Sequence, residues 1–201
     1  MTTTSNRPYN GLDTDARIAQ RRQRLLDTGL DILGNPLGDD ELTLRTICGR
    51  AQLAQRYFYE SFADKDVFAA AVYDWALTDL IDHIQRALSG ASASDGPRIG
   101  IGALVGRVAA DPRVGQLLFS PHQVNSVVVA KRFESTSTFV NLFSAVTSPT
   151  VGGDGKPPLA AHFVVGGVAQ SIAAWLNGEV SVTTDELVDE LVTMLARQRV
   201  G

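Results

Sequence analysis

The side chains best suited to engaging another molecule crowd into one stretch. Residues 43 to 68 read TLRTICGRAQLAQRYFYESFADKDVF, where hydroxyls, guanidinium groups, amides, phenols and an ammonium alternate with apolar residues. Arginine and lysine neutralise phosphate, and arginine or glutamine can make paired hydrogen bonds to one base edge, so this set suits a nucleic acid. The apolar spacing says how such a set would be held. Ile47, Ala51, Leu53, Phe58 and Phe62 fall where two short helices, joined by a tight turn near Gln52, Leu53 and Ala54, would face inward, and the small Ala51 lets them approach closely. Two helices so joined form a helix-turn-helix, whose second helix enters the DNA major groove while the first crosses the backbone. Three adjacent helical positions cannot all face inward, so Phe58 is expected in the core and Tyr57 and Tyr59 nearer the surface.

Other chemistries lack a matching pattern. His83, His122 and His162 lie about 40 residues apart with no carboxylate at ligand spacing, so no metal site is expected. The run GIGALVG at residues 100 to 106 imitates a dinucleotide loop, but no strand precedes it and its third glycine comes one residue late; a helix with small packing positions is expected. Gly155-Lys156 lacks the following hydroxyl residue of a phosphate loop, and no G-x-S-x-G occurs. No catalytic residue and no cofactor is expected, and an enzyme would have to use an unmarked site. Cys48, the one cysteine, cannot form an internal disulfide, which points to a reducing compartment, and beside Ile47 it reads as a core thiol.

The elements that must hold the 43–68 stretch are helical. Asp13 or Thr14 can cap a helix with Ile18, Leu25, Leu26, Leu30 and Leu33 on one side, stopped by Gly34-Asn35-Pro36. Thr43 begins a second helix toward Ala51, a short third follows, and Asp64 caps a long one from Lys65 to about Leu88. Residues 90 to 100 read as a loop and a boundary between functional parts. Asp111-Pro112 and Ser120-Pro121 each look like a helix start. Residues 149 to 158 form another loop, Asn177-Gly178 ends a helix, and Thr183 with Glu186 fits a capping box before a last helix striped with Leu187, Leu191, Met194 and Leu195. The expected fold is all-α, with about nine helices.

On these residues the chain resembles the TetR/AcrR family of bacterial transcriptional regulators. The resemblance rests on TLRTICGRA (43–51), YFYESF (57–62) and ADK (63–65), set against a family pattern T-x-x-x-I-A-x-x-A-G-V-S, an aromatic-rich L-Y-Y-H-F and a lysine opening helix 4; it spans residues 14 to 75. It implies a flexible arm (1–13), a three-helix DNA-binding head (14–63) and a helical effector-binding and dimerisation body (64–201). It also implies roles. Thr43 and Arg45 sit where the family's helix 2 meets phosphate and the groove edge. Gln55, Arg56 and Tyr57 open the recognition helix, Tyr59 matches a phosphate-binding tyrosine, and Lys65 matches the lysine of helix 4. The sequence departs from the pattern at Gln52 (turn glycine), Ala54 (serine cap) and Ser61 (histidine); Gly49 weakens helix 2 and Tyr57 is unusually large.

Charge constrains the docking. The chain carries a net −4, yet residues 1 to 65 hold nine basic and nine acidic side chains, so the negative excess lies in the rest. DNA binding then needs Arg17, Arg21, Arg45, Arg56 and Lys65 on one face and Asp39, Asp40 and Glu41 away from it. A hydrophobic fraction of 44% with only 20% charged residues excludes a disordered chain. The start of the sequence does not read as a signal peptide, and the longest apolar run, Ala160 to Leu176, is broken by His162, Gln170 and Ser171, so a helix buried on nearly all sides in a cytoplasmic protein is expected, with no membrane partner.

Two further sites follow. Phe119, His122, Asn125, Phe133, Phe139 and Phe143 are candidate lining for an apolar or aromatic small molecule. Gly166, Ala169, Ala173 and Trp175, with Leu187, Leu191 and Leu195, are candidates for half of a four-helix bundle with a symmetry mate. The whole predicts a homodimeric repressor that reads a pseudo-palindromic duplex and leaves it when a ligand binds. The alternatives are a helical module acting through protein contacts and an unmarked helical-bundle enzyme.

Overall fold

Local chemistry sets most of the helix ends. The computed structural model describes residues 11–38, 40–92, 94–147 and 159–198. These form α1 (Gly11–Leu33), α2 (Leu44–Ala51), α3 (Gln55–Tyr59), α4 (Lys65–Leu88), α5 (Gly96–Ala110), α6 (Pro112–Phe119), α7 (Ser126–Thr147), α8 (Leu159–Leu176) and α9 (Thr184–Gln198), with no strand among them. Thr43 caps α2 by accepting from the Thr46 amide at 3.1 Å, and Asp64 caps α4 by accepting from the amides of Asp66 and Val67. At α9 the capping box is closed in both directions: Thr183 N donates to Glu186 Oε2 at 2.8 Å, and Glu186 N donates to Thr183 Oγ1 at 3.3 Å.

Several ends differ from the sequence expectation. α1 starts at Gly11, ahead of the cap expected at Asp13 or Thr14, and the first ten residues of the expected arm lie outside the described residues, as does the expected 149–158 loop. α5 begins inside the expected 90–100 loop, because Pro97 suits a helix's first turn. Ser120-Pro121 does not start a helix. Ser120 ends α6, and Asn125 opens α7 instead, its Oδ1 accepting from the amides of Val127 and Val128 at 3.1 Å each.

α1, α2, α3 and the first turns of α4 make a head around Phe58, Phe62 and Phe68, whose ring centroids lie 5.0 to 5.6 Å apart. Gly29 sets how closely α1 meets α4: a Cβ there would come within 2.4 Å of Val72 and 2.7 Å of Phe68. The rest of α4 packs on α5, α5 on α9, α6 on α8, and α7 on both α4 and α8. Arg113 ties this body to the head, donating from α6 to Asp27 and Asp31 of α1 while also holding Asp111; Asp31 in turn lies 3.8 Å from Arg50 of α2, which pairs with Asp40.

Two packing expectations are corrected. Leu187, Leu191 and Leu195 face the protomer's own core, at 4%, 3% and 7% exposure, because α9 lies along α5. α8 is not buried on nearly all sides: Ala161, Val164, Ile172 and Ala173 are buried, while Leu159 and Phe163 are 84% and 68% exposed. By length and composition this helix could also cross a membrane, although two glycines and Gln170 interrupt its open face.

Candidate nucleic-acid interface and body cavities

α3 is held from behind and open in front. Phe58 is 1% exposed among the head phenylalanines, whereas Tyr59 is 59% exposed and Gln55 and Arg56 face solvent. Helical periodicity separates these neighbours, as the sequence suggests. The turn before α3 is left-handed at Gln52 (φ 52°, ψ 43°), a conformation that costs a non-glycine residue about 1 kcal/mol. Its amide is bonded back to α2, and its side chain accepts from Arg24 Nη2 at 2.9 Å, a contact with α1 that holds the turn in place. Ala54 supplies no side-chain cap to α3.

The basic residues expected on this face are in different states. Arg21 and Arg56 both lie over the Tyr57 ring, 4.3 and 4.6 Å from its centroid, and Arg56 Nη2 donates to the Tyr57 hydroxyl at 2.7 Å. Arg21 also bridges Glu60 at 3.1 Å, so its charge docks α1 onto α3. Arg45 and Lys65 are exposed with no ion-pair partner among the described residues. Arg17 is exposed and engaged within the chain. The Thr43 hydroxyl caps α2 and shares a hydrogen bond with Thr46 at 2.8 Å. Of the carboxylates expected to stay away, Asp40 is neutralised by Arg50, Glu41 is exposed, and Asp39 lies outside the described residues. Cys48 is buried, and burial raises its thiol pKa, which suits a core side chain better than a reactive one.

The body holds two neighbouring cavities. One, of about 110 Å³, has hydrocarbon walls from α4, α5, α6, α7, α8 and α9, including Ile84, Leu104, Phe119, Phe139 and Phe143. The other, of about 410 Å³, adds Tyr73, Gln123, Arg132, Ser135 and Thr136, and shares Phe119, Phe139, Val165 and Ala169 with the first. The expected pocket residues divide accordingly. Phe119 and Phe139 line both cavities, Phe143 lines the smaller, and Phe133, 77% exposed, lines the larger. His122 and Asn125 line neither, because the segment between α6 and α7 is a turn: His122 is exposed on it and Asn125 caps α7.

The expected bundle residues also divide. Ala169 lines both cavities, Ala173 is buried, and Trp175 Nε1 donates to the Val182 carbonyl at 3.0 Å. Gly166 lines the larger cavity from an exposed position, where an added Cβ would meet nothing within 4 Å. Arg132, Arg113 and the Arg24–Gln52 contact carry no mark in the sequence, since the fold alone decides what each of them meets.

Solved structures resemble this arrangement. A TetR-like transcriptional regulator from a Rhodococcus species aligns with a TM-score of 0.68 at 17% identity, covering 90% of this chain and 96% of that one. The fatty acid degradation regulator FadR from Bacillus halodurans aligns at 0.72 and 14% identity, covering 96% of both chains. The transcriptional regulator FadR from Bacillus subtilis, solved with stearoyl-CoA, aligns at 0.67 and 14% identity, covering 86% of this chain and 96% of its own. No protein-family model matches the sequence, and no curated protein does. The fold is that of the TetR-like transcriptional regulators: an all-α chain with a helix-turn-helix head joined to a helical body.

Proposed function

We propose that this chain is a TetR/AcrR-type regulator, a cytoplasmic homodimer that sets α3 of each protomer in the major groove of a pseudo-palindromic operator and acts as a ligand-released repressor. The observation that carries the reading is α3 itself. Its inner residue Phe58 is locked in an aromatic core while Gln55, Arg56 and Tyr59 stand open, and Arg45 of α2 and Lys65 of α4 are exposed as well. In this reading Gln55 and Arg56 meet base edges, with Arg56 leaving its place on Tyr57 to do so. Thr43, Arg45, Tyr57, Tyr59 and Lys65 position the head on phosphate and groove edge. Residues 14–63 form the DNA-binding part and 64–201 the effector and dimerisation part, with half-site centres about 34 Å or a multiple apart.

The open face of α8 is the dimer surface in this reading. Leu159, Phe163, Gly166, Gly167 and Gln170 share it, and neither glycine is needed for packing inside the protomer, since a Cβ at either meets nothing within 4 Å. A second copy gives these glycines a reason, because close approach of two symmetry-related helices requires small residues. Likeness to a FadR solved with stearoyl-CoA agrees with an apolar effector in the body. Such a ligand shifts the equilibrium only as far as its affinities for the two states differ.

The test uses genomic fragments retained by the protein at stated salt. On the fragment bound best, Arg56→Ala is expected to cost about 1–3 kcal/mol and relax base preference, whereas Lys65→Ala weakens all sequences alike. Sedimentation is expected to give a dimer that Gly167→Trp dissociates, with loss of operator affinity. Unchanged DNA affinity in both head variants, or a monomeric protein on DNA, defeats the reading.

A further inference from the structure

Arg132 of α7 is a cation where charge is penalised. Its guanidinium is half-buried, burial draws its pKa below the usual arginine value, and no carboxylate pairs with it among the described residues. A guanidinium has five N–H donors. Here Nη1 donates to the Ser120 carbonyl, and the remaining donors have no protein acceptor among the described residues. None of those donors is sealed from solvent, so this cation on a cavity wall stands open to an opposite charge from outside the chain, which would add charge-assisted hydrogen bonds.

The other polar groups of that cavity are already engaged within the chain. Tyr73 Oη and Ser135 Oγ share a hydrogen bond at 2.6 Å. Gln123 donates to the Leu33 carbonyl at 2.9 Å and accepts from the Asn125 amide at 3.1 Å, and Thr136 donates to the Arg132 carbonyl at 3.1 Å. The group the cavity leaves open to a ligand is therefore the Arg132 guanidinium, which suits a negatively charged acceptor. Next to it, across Phe119 and Phe139, lies the smaller cavity with hydrocarbon walls, which suits an uncharged chain and offers nothing to a polar one.

From this juxtaposition we infer that the body binds an anion-headed amphiphile, its carboxylate or phosphate held by Arg132 and its single hydrocarbon chain running past Phe119 and Phe139 into the apolar cavity. A neutral aromatic ligand fills the apolar space and leaves Arg132 unpaired; a cationic one is repelled. The inference rests on reading the body as an effector-binding part, and it narrows that effector to one chemical class.

Calorimetric titration of the full chain tests it with four probes sharing a ten-carbon chain, each kept below its micelle concentration: decanoate, decyl phosphate, 1-decanol and decyltrimethylammonium. Decanoate or decyl phosphate is expected to bind one per protomer and about 10-fold or more tighter than decanol, and whichever anion binds tighter identifies the head group. Arg132→Gln is expected to erase that preference and leave decanol affinity unchanged, Arg132→Lys to keep part of it, and Val168→Phe to weaken every probe. Equal binding of decanol, tighter binding of the ammonium, anion binding indifferent to Arg132→Gln, or no binding by any probe overturns the inference. Should Arg132→Gln fail to fold, the four-probe series on the unaltered chain and Arg132→Lys still decide. DNA retention is read separately: its loss with the anion preference intact faults the DNA reading alone, and an absent anion preference with DNA retention intact faults this inference alone.

Discussion

The head and the body use apolar residues in opposite ways. In the head, three phenylalanine rings lie 5.0 to 5.6 Å apart and Gly29 leaves no room for one added methyl group. In the body, six helices converge without filling the space between them, leaving cavities of about 110 and 410 Å³. Reading a groove demands side chains held in fixed relative positions, which dense packing supplies. Accepting a small molecule demands space already present, because opening it would sacrifice packing contacts. One continuous core joins the two regions, so the contrast lies in how well that core is filled.

Substitutions in the two regions put this contrast to the test. Phe58→Ala carries the largest expected effect: it empties the head's core and is expected to cost about 3–5 kcal/mol in urea unfolding, with loss of the α3 face. Gly29→Ala comes next, at about 1–3 kcal/mol, since the methyl must displace Val72 and Phe68; Val168→Phe in the body, which adds more atoms beside a cavity, is expected to change stability by less than about 1 kcal/mol. If the body substitution costs as much as the head one, the contrast fails. Gln52→Gly relieves the left-handed turn but gives up the Arg24 contact, so a net gain of about 0.5–1 kcal/mol in the same assay is expected.

The smallest effect concerns acid. Hydrogen bonds from Arg113 lower the Asp111 pKa below its ordinary 3.8, so its contribution to stability is present above that value and lost as pH falls through the lower folded one. Asp111→Asn should therefore flatten the stability-against-pH curve below about pH 4 and leave the slope near neutrality unchanged. An unchanged acid limb would show that the pair contributes nothing.

Much of the architecture is legible because helix caps are local. Thr43, Asp64, Asp111 and the Thr183–Glu186 box each act within three residues of themselves, and all four ends fall where the sequence puts them. Which way an apolar stripe faces is different. Leu187, Leu191 and Leu195 read equally well as core or as interface, and only the placement of α5 decides for core. In the head, Phe58 and Tyr59 separate by helical period alone, whereas the stack of Arg21 and Arg56 on Tyr57 depends on where α1 lies. Arg132 gives no signal in the sequence, because its significance comes from lacking a partner, and partners are assigned by the fold.

α4 passes without a break from the head to the wall of the apolar cavity, where Ile84 and Leu88 stand. At about 1.5 Å per residue its 24 residues make a lever some 36 Å long. Swinging about its midpoint by about 3°, such a lever carries the Lys65 end through about 1 Å, enough to take a hydrogen bond from good geometry to none. Under the proposed reading, an occupant pressing on Leu88 has no need to unfold or reshape anything: a displacement of about 1 Å at one end is carried undiminished to the other, where it is a misfit.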